Sequence, residues 1–277
     1  MHDMLFLCIS PDKKEKEVIL FQMFILSLVQ SLTEFLPVSS SGHLILMRFF
    51  MHWNMPSLMT DIGLHIGTLL AVCVYFYKDI IGLFRAIFFK KESKKLLCNL
   101  IIATIPVPFF VLLFISDLKQ LRTPDIIAFM LIIFGIALWL ADKYSPSHTE
   151  KQITPWNALA IGIAQCFALI PGVSRSGITI TVARLCGIDR TRAAHFSMLL
   201  SIPTIFFAGV WAVFKCIQND SLCTFSILSF YGILYAFIFG LIVISVFMKF
   251  VKKNSFALFM VYRVLLGLAV FLYMWHN

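Results

Sequence analysis

Apolar residues run along this chain in blocks the length of a membrane-crossing helix, separated by short polar intervals. Residues 58–77, 96–116, 125–141, 195–215, 225–248 and 255–275 each read as a full span, because a helix needs about 20 apolar residues to cross the hydrocarbon core. Two further apolar regions, 18–47 and 154–185, are interrupted near their middles by Pro and Gly with flanking serines. The interruptions are Glu34-Phe-Leu-Pro-Val-Ser-Ser-Ser-Gly-His43 and Pro171-Gly-Val-Ser-Arg-Ser-Gly177. A charged, hydroxyl-rich turn is costly in lipid unless it faces protein or a water-filled cavity. Residues 1–17 form a polar lead-in; their charges follow the short apolar run, the reverse of a secretion signal.

Composition agrees with the pattern. Of 277 residues, 60% are hydrophobic and 13% charged, and the mean hydropathy is +0.91. A soluble domain has roughly 45–50% apolar and about 25% charged residues, so the chain is expected to be a polytopic membrane protein in contact with the bilayer. The net charge of +9 is no nucleic-acid footprint, since no basic soluble domain, aromatic platform or zinc-finger spacing accompanies it. The cysteines, at 8, 73, 98, 166, 186, 216 and 223, are scattered through mostly apolar sequence without metal-ligand spacing and read as small buried hydrophobes.

The charge sets the sidedness. Lys78, Arg85, Lys90, Lys91, Lys94 and Lys95 cluster in one loop, and Lys249, Lys252 and Lys253 in another; positive-inside bias places both in the cytoplasm. Residues 48–57, 117–124 and 216–224 are then external, and 142–153 internal. Segment 154–185 has to begin and end inside, so it re-enters. A shift of 135 positions carries Gln30 onto Gln165, Val38 onto Val173, Ser39 onto Ser174, Ser41 onto Ser176, Gly42 onto Gly177 and Ile45 onto Ile180. Each copy precedes three crossings, an odd number, which inverts the second copy. The expected fold is an all-α polytopic membrane protein with an inverted-topology repeat, each half a re-entrant helix–loop–helix hairpin plus three transmembrane helices. The repeats are 18–141 and 154–277, joined by a cytoplasmic linker at 142–153, in one integral membrane domain.

The copies have diverged where chemistry would need them to. Glu34 falls opposite Leu169, Ser40 opposite Arg175 and His43 opposite Ile178. One turn carries acid, hydroxyl and imidazole, and the other carries guanidinium. Arg175 has a planar fork that matches two phosphate oxygens, with Ser174, Ser176, Gly177 and Thr179 around it to donate further bonds. Ser39, Ser40 and Ser41 offer hydroxyls, and His43 titrates near neutrality. Gln30 lies one helical turn before Glu34. A hard divalent cation, Mg2+ or Ca2+, could bridge Glu34, with or without Gln30, to phosphate oxygens, held partly by substrate because no all-protein cage can be assembled. Arg263, deep in the last span, needs an anion: substrate phosphate is favoured, Glu34 is the other choice. Asp61 and His65, four residues apart on one helix face, are expected to support the site from behind.

These residues resemble those of the bacterial undecaprenyl-diphosphate phosphatases of the bacitracin-resistance type. The resemblance is carried by Gln30-Ser-Leu-Thr-Glu34 continuing through Pro37-Val-Ser-Ser-Ser-Gly-His43, by Pro171 to Thr179, by Arg192-Ala-Ala-His-Phe-Ser-Met-Leu-Leu-Ser-Ile-Pro203 and by Tyr262-Arg263. It departs at Gln30, the weaker alternative at an acidic position, and at His65, where many relatives resemble a Gln. The resemblance implies hydrolysis of undecaprenyl diphosphate to the monophosphate and inorganic phosphate, divalent-cation dependence, and work at the outer face of the bacterial cytoplasmic membrane. It implies Glu34, Ser40, His43 and Arg175 as the catalytic set, with serine or water as nucleophile and His43 or Glu34 as proton acceptor. Assembly of identical chains stays open. A carrier of prenyl phosphate or another anion is the alternative, since inverted repeats with broken helices also build transporters.

Overall fold

Twelve α-helices and two short 3-10 turns, with no strand, make up the described residues of the computed structural model, which are 13–51, 53, 57–88, 91–146, 151–218 and 227–276. The helices are α1 (Lys13–Phe35), α2 (Ser40–Met51), α3 (Ser57–Tyr75), α4 (Tyr77–Phe88), α5 (Lys91–Thr104), α6 (Pro106–Leu118), α7 (Pro124–Tyr144), α8 (Pro155–Gln165), α9 (Arg175–Leu185), α10 (Arg190–Gln218), α11 (Ile227–Val251) and α12 (Ala257–His276). The expectations for residues 1–12, Lys90 and the loop at 219–226 lie outside the described residues.

Among the described residues, six segments are long and apolar enough to cross a membrane: Glu17–Phe35, Lys94–Leu113, Pro124–Tyr144, Arg190–Phe214, Phe230–Val251 and Ala257–His276. Five of these overlap expected spans. The first departs from expectation, because α1 alone is long enough to cross, whereas 18–35 was expected to be one arm of a hairpin. No Pro or Gly falls between Lys13 and Phe35 to stop it. The expected span 58–77 is also altered. At Phe76 the chain bends by 73° from α3 into α4, a strongly amphipathic helix bearing Lys78, Asp79 and Arg85. Such a helix is stable lying along the membrane surface. Span 96–116 is interrupted before Pro106, whose ring removes a helix hydrogen bond.

In lipid, helices associate by close packing and hydrogen bonds rather than by expulsion of water. α11 packs along both α1 and α3, and α12 along α7. Ser27 and Ser31 of α1 donate to the carbonyls of Gly232 and Ala236 on α11, at 3.3 and 3.0 Å. A side chain at Gly67 on α3 would collide with the Ile233 carbonyl of α11, so that crossing requires glycine.

The broken regions position the site. α1 ends at Phe35 and α2 begins at Ser40, so residues 36–39 are a tight turn. In the second region, α8 starts on a reciprocal cap between Thr154 and Asn157. It passes through a 3-10 turn at Cys166–Leu169, and α9 then starts at Arg175. Ser39 and Ser174 both adopt a left-handed backbone, with φ of 78° and 75°, rare for non-glycine residues. Each hydroxyl accepts from the backbone N–H three residues on, Gly42 at 3.4 Å and Gly177 at 3.1 Å. Local side-chain hydrogen bonds thus offset part of the strain.

A buried polar centre that the sequence reading does not anticipate ties the end of α9 to α7 and α12. The Arg184 guanidinium is inaccessible and donates to Asp142 Oδ1 at 3.0 Å and to the carbonyls of Asp142, Ser145, Pro146 and Ile188. Asp142 also accepts from Arg190 at 2.7 Å and from the Phe256 N–H at 3.1 Å. Removing one member of a buried ion pair strands the other charge. Asp142→Leu is therefore expected to destabilise the fold by about 3–5 kcal/mol, read as a lowered thermal unfolding midpoint in detergent. An unchanged midpoint would show that the carbonyls alone satisfy Arg184.

Candidate active site

The two turns meet face to face. Gly172 donates its N–H to Ser39 Oγ at 3.0 Å, and Ser176 Oγ donates to the Leu36 carbonyl at 3.0 Å. Gly172 has a φ of +98°, and a Cβ there would press on the Ile127 carbonyl and Met130; only glycine lets this turn seat against α7.

Arg263 clamps the junction from α12. It is fully buried and donates to Leu131 O (3.1 Å), Pro37 O (3.1 Å), Met130 O (3.3 Å), Gly172 O (2.8 Å) and Val173 O (3.0 Å). The expected partners were phosphate or Glu34. The structure instead turns Arg263 to backbone carbonyls of both turns, which lie outside any helix ladder, and to two carbonyls of α7.

Glu34, at the end of α1, is the hub of the side-chain chemistry. Its Oε1 accepts from Arg175 at 2.8 Å, and its Oε2 accepts from Ser40 Oγ at 2.7 Å and from Gln30 at 3.1 Å. His65 Nε2 stands 3.7 Å from the same Oε2. The Glu34 and Arg175 side chains are 7% and 12% exposed, so the pair is largely shielded. Arg175 also donates to the Ser197 carbonyl at 3.1 Å. Acid from one broken region and guanidinium from the other therefore touch.

His43 is held separately. Its Nδ1 lies 2.7 Å from the Ser39 carbonyl, and a carbonyl only accepts, so Nδ1 carries the proton. Nε2 in the neutral ring is then an acceptor, and Tyr262 Oη donates to it at 2.6 Å. The rings stack with an interplanar angle of 9°. Asp61 and His65 do not pair through their side chains: His65 Nδ1 meets the Asp61 carbonyl at 2.7 Å, while the Asp61 carboxylate takes a two-pronged bond from Arg48 at 2.5 and 3.1 Å.

The remaining candidates bind mainly one another. Ser174 Oγ contacts Ser176 Oγ at 3.2 Å, and Thr179 Oγ1 contacts Ser197 Oγ at 2.7 Å and the Arg175 carbonyl at 2.8 Å. Ser41 is exposed in the first turn of α2, outside this bonded set. Tyr262, Ser197 and Arg48 are residues to which the sequence reading assigns no role. The first two lie inside segments it singles out, and a phenol beside a buried arginine was the available signal. Gln30 Oε1 is buried without a hydrogen-bond partner, an acceptor aligned on one helix face with Glu34. Among the described residues no three His, Cys, Asp or Glu side chains are grouped to hold a metal ion. Gln30 and Glu34 can supply only part of a hard cation's oxygen shell.

Residues 23–269 match the family described as bacitracin resistance protein BacA. The chain is 41% identical over 257 residues to the undecaprenyl-diphosphatase of Saccharophagus degradans, covering 90% of this chain and 96% of that one. It is 42% identical over 255 residues to the undecaprenyl-diphosphatase of Aliivibrio salmonicida (89% and 95%), and 41% identical over 255 residues to that of Desulforudis audaxviator (90% and 96%).

The Arg263 clamp has a measurable consequence. Arg263→Lys keeps the charge, but one ammonium cannot reach carbonyls on both turns and α7 together. Hydrogen bonds from a charged donor contribute about 1.5–3 kcal/mol each, so this substitution is expected to cost about 3 kcal/mol or more, measured by thermal unfolding in detergent. Wild-type stability in Arg263→Lys would mean that the turns hold together without the fork.

Proposed function

The chain belongs to the bacitracin resistance protein BacA family, and we infer that it is an enzyme of the bacterial inner membrane that hydrolyses undecaprenyl diphosphate to undecaprenyl phosphate and inorganic phosphate. That reaction regenerates the lipid carrier for peptidoglycan and other envelope polymers. It also confers resistance to bacitracin, which sequesters the diphosphate lipid. The observation that carries the chemistry is the buried contact of Glu34 with both Arg175 and Ser40.

The finer reading of the fold is an inverted repeat of 18–141 and 154–277, in which α1–α2 and α8–α9 are the two broken hairpins. Supporting it, each broken pair precedes three membrane-crossing units, and Ser39 and Ser174, 135 positions apart, share one unusual backbone conformation and one capping role. With Lys78, Arg85 and Lys249 to Lys253 inside, α1 enters from outside, and the site opens toward the external face.

Catalysis proceeds as follows in this proposal. The diphosphate head displaces Glu34 from Arg175, and the freed fork takes two oxygens of the terminal phosphate. The first-turn amides of α9 point their dipole at the same group. Ser40 Oγ attacks the terminal phosphorus, Glu34 accepts its proton across the existing 2.7 Å contact, and the bond to the bridging oxygen breaks as undecaprenyl phosphate leaves. Water then cleaves the phosphoserine, with His43 Nε2 as acceptor of its proton once Tyr262 swings aside. Gln30, whose Oε1 is buried without a hydrogen-bond partner, and Glu34 would hold a divalent cation, Mg2+ or Ca2+, with substrate supplying further oxygens. When bound, that cation neutralises phosphate charge.

Two measurements test this. Inorganic phosphate release from undecaprenyl diphosphate in detergent is expected to stop on chelation and to fall about 10²–10³-fold in Arg175→Lys, with only a modest loss of thermal stability; wild-type turnover in that variant would remove Arg175 from the site. Brief reaction with labelled diphosphate, acid quenching and peptide mapping are expected to find the label on Ser40. Full activity in Ser40→Ala would assign the attack to water.

A further inference from the structure

Outside the active site, α4, α5, α6 and α10 line an apolar slot of about 530 Å³. Its walls include Leu83 and Phe84 of α4, Ile101 of α5, Phe109 of α6, and Ile202 and Phe207 of α10. It is open where helix breaks keep the walls apart: α5 and α6 part at Pro106, and Pro203 interrupts the hydrogen-bond ladder of α10. Phe84, Ile101, Phe109 and Phe207 are all more than half exposed, so the slot faces lipid. No side chain of the active site lines it.

A lipid-facing slot always meets hydrocarbon. What would select one lipid is the charge along its edge. Lys78 and Arg85 flank the lining residues of α4, and Lys94 and Lys95 precede Leu97, which lines the slot from α5. All four cations are exposed, and among the described residues none has an ion-pair partner, whereas nearby Asp79 is occupied by His195 at 3.2 Å. The 73° bend at Phe76 turns α4 away from the axis of α3, as in a helix that lies along a membrane surface, where Lys78 and Arg85 would meet headgroups.

We propose that this slot is a binding site for an anionic glycerophospholipid: one acyl chain lies between α4, α6 and α10, and the phosphate sits among Lys78, Arg85, Lys94 and Lys95. The site is independent of the hydrolytic one.

The test is lipid retention by the full-length chain in detergent, read by native mass spectrometry after incubation with phosphatidylglycerol or phosphatidylethanolamine. Phosphatidylglycerol is expected to be retained about tenfold or more over the zwitterionic lipid. Replacing Lys78, Arg85, Lys94 and Lys95 together with Gln is expected to bring the two lipids to parity without altering phosphate release. Ile202→Trp, or Ile101→Trp if the first does not fold, fills the slot and is expected to lose both lipids. Equal retention by the wild type, retention undisturbed in the filled variant, or displacement of phosphatidylglycerol by equimolar undecaprenyl phosphate would overturn the proposal. The last result would make the slot a seat for the substrate's tail.

Discussion

Arg263 donates to backbone carbonyls of three separate segments at the junction of the two polar turns, and the rest of the site depends on that clamp. Breaking a helix in a bilayer leaves carbonyls that neither lipid nor the helix itself can satisfy. One turn brings Pro37 O to the junction, the other brings Gly172 O and Val173 O, and α7 adds Met130 O and Leu131 O. A guanidinium is suited to this because its donors fan out in one plane toward several acceptors. The burial of a cation without a carboxylate is tolerable only because the dipoles around it point their negative ends inward.

With the turns locked together, the remaining functional groups fall into two sets that share the backbone of Ser39. Glu34, Ser40, Gln30 and Arg175 form one hydrogen-bonded cluster, and His43 with Tyr262 forms the other. Ser39 joins them, since its carbonyl orients His43 while its hydroxyl accepts from Gly172 across the interface. A single left-handed serine therefore sets both the tautomer of the imidazole and the seating of the opposite turn. Ser174, the left-handed serine of the second broken region, starts the helix that carries Arg175.

The sequence was most informative where a local rule had no competitor. Unbroken apolar length located five of the six qualifying spans, and the divergence of Ser40 from Arg175 within aligned turns singled out groups that do meet at Glu34. It was least informative where a residue's role depends on what packs above it. Nothing in the neighbours of Arg263 tells a phosphate from a ring of carbonyls, because the carbonyls come from residues 90 or more positions away, such as Val173 and Met130. Asp142 and Arg184 look like ordinary helix-end charges until folding buries them together. The bend at Phe76 was hidden for another reason: α3 and α4 are both apolar enough to continue one another, and only the spacing of Lys78, Asp79 and Arg85 marks the change of direction.

The Glu34–Arg175 contact has a consequence for how substrate arrives. The two charges largely cancel, so the pair projects little net field and does little to draw a diphosphate from a distance, in contrast to enzymes that collect anions from solution through an open basic funnel. Delivery falls to the bilayer, which confines the long-tailed molecule to two dimensions and concentrates it at the depth of the opening. A short, water-soluble analogue lacks that confinement and has to find the doorway by unguided three-dimensional collision.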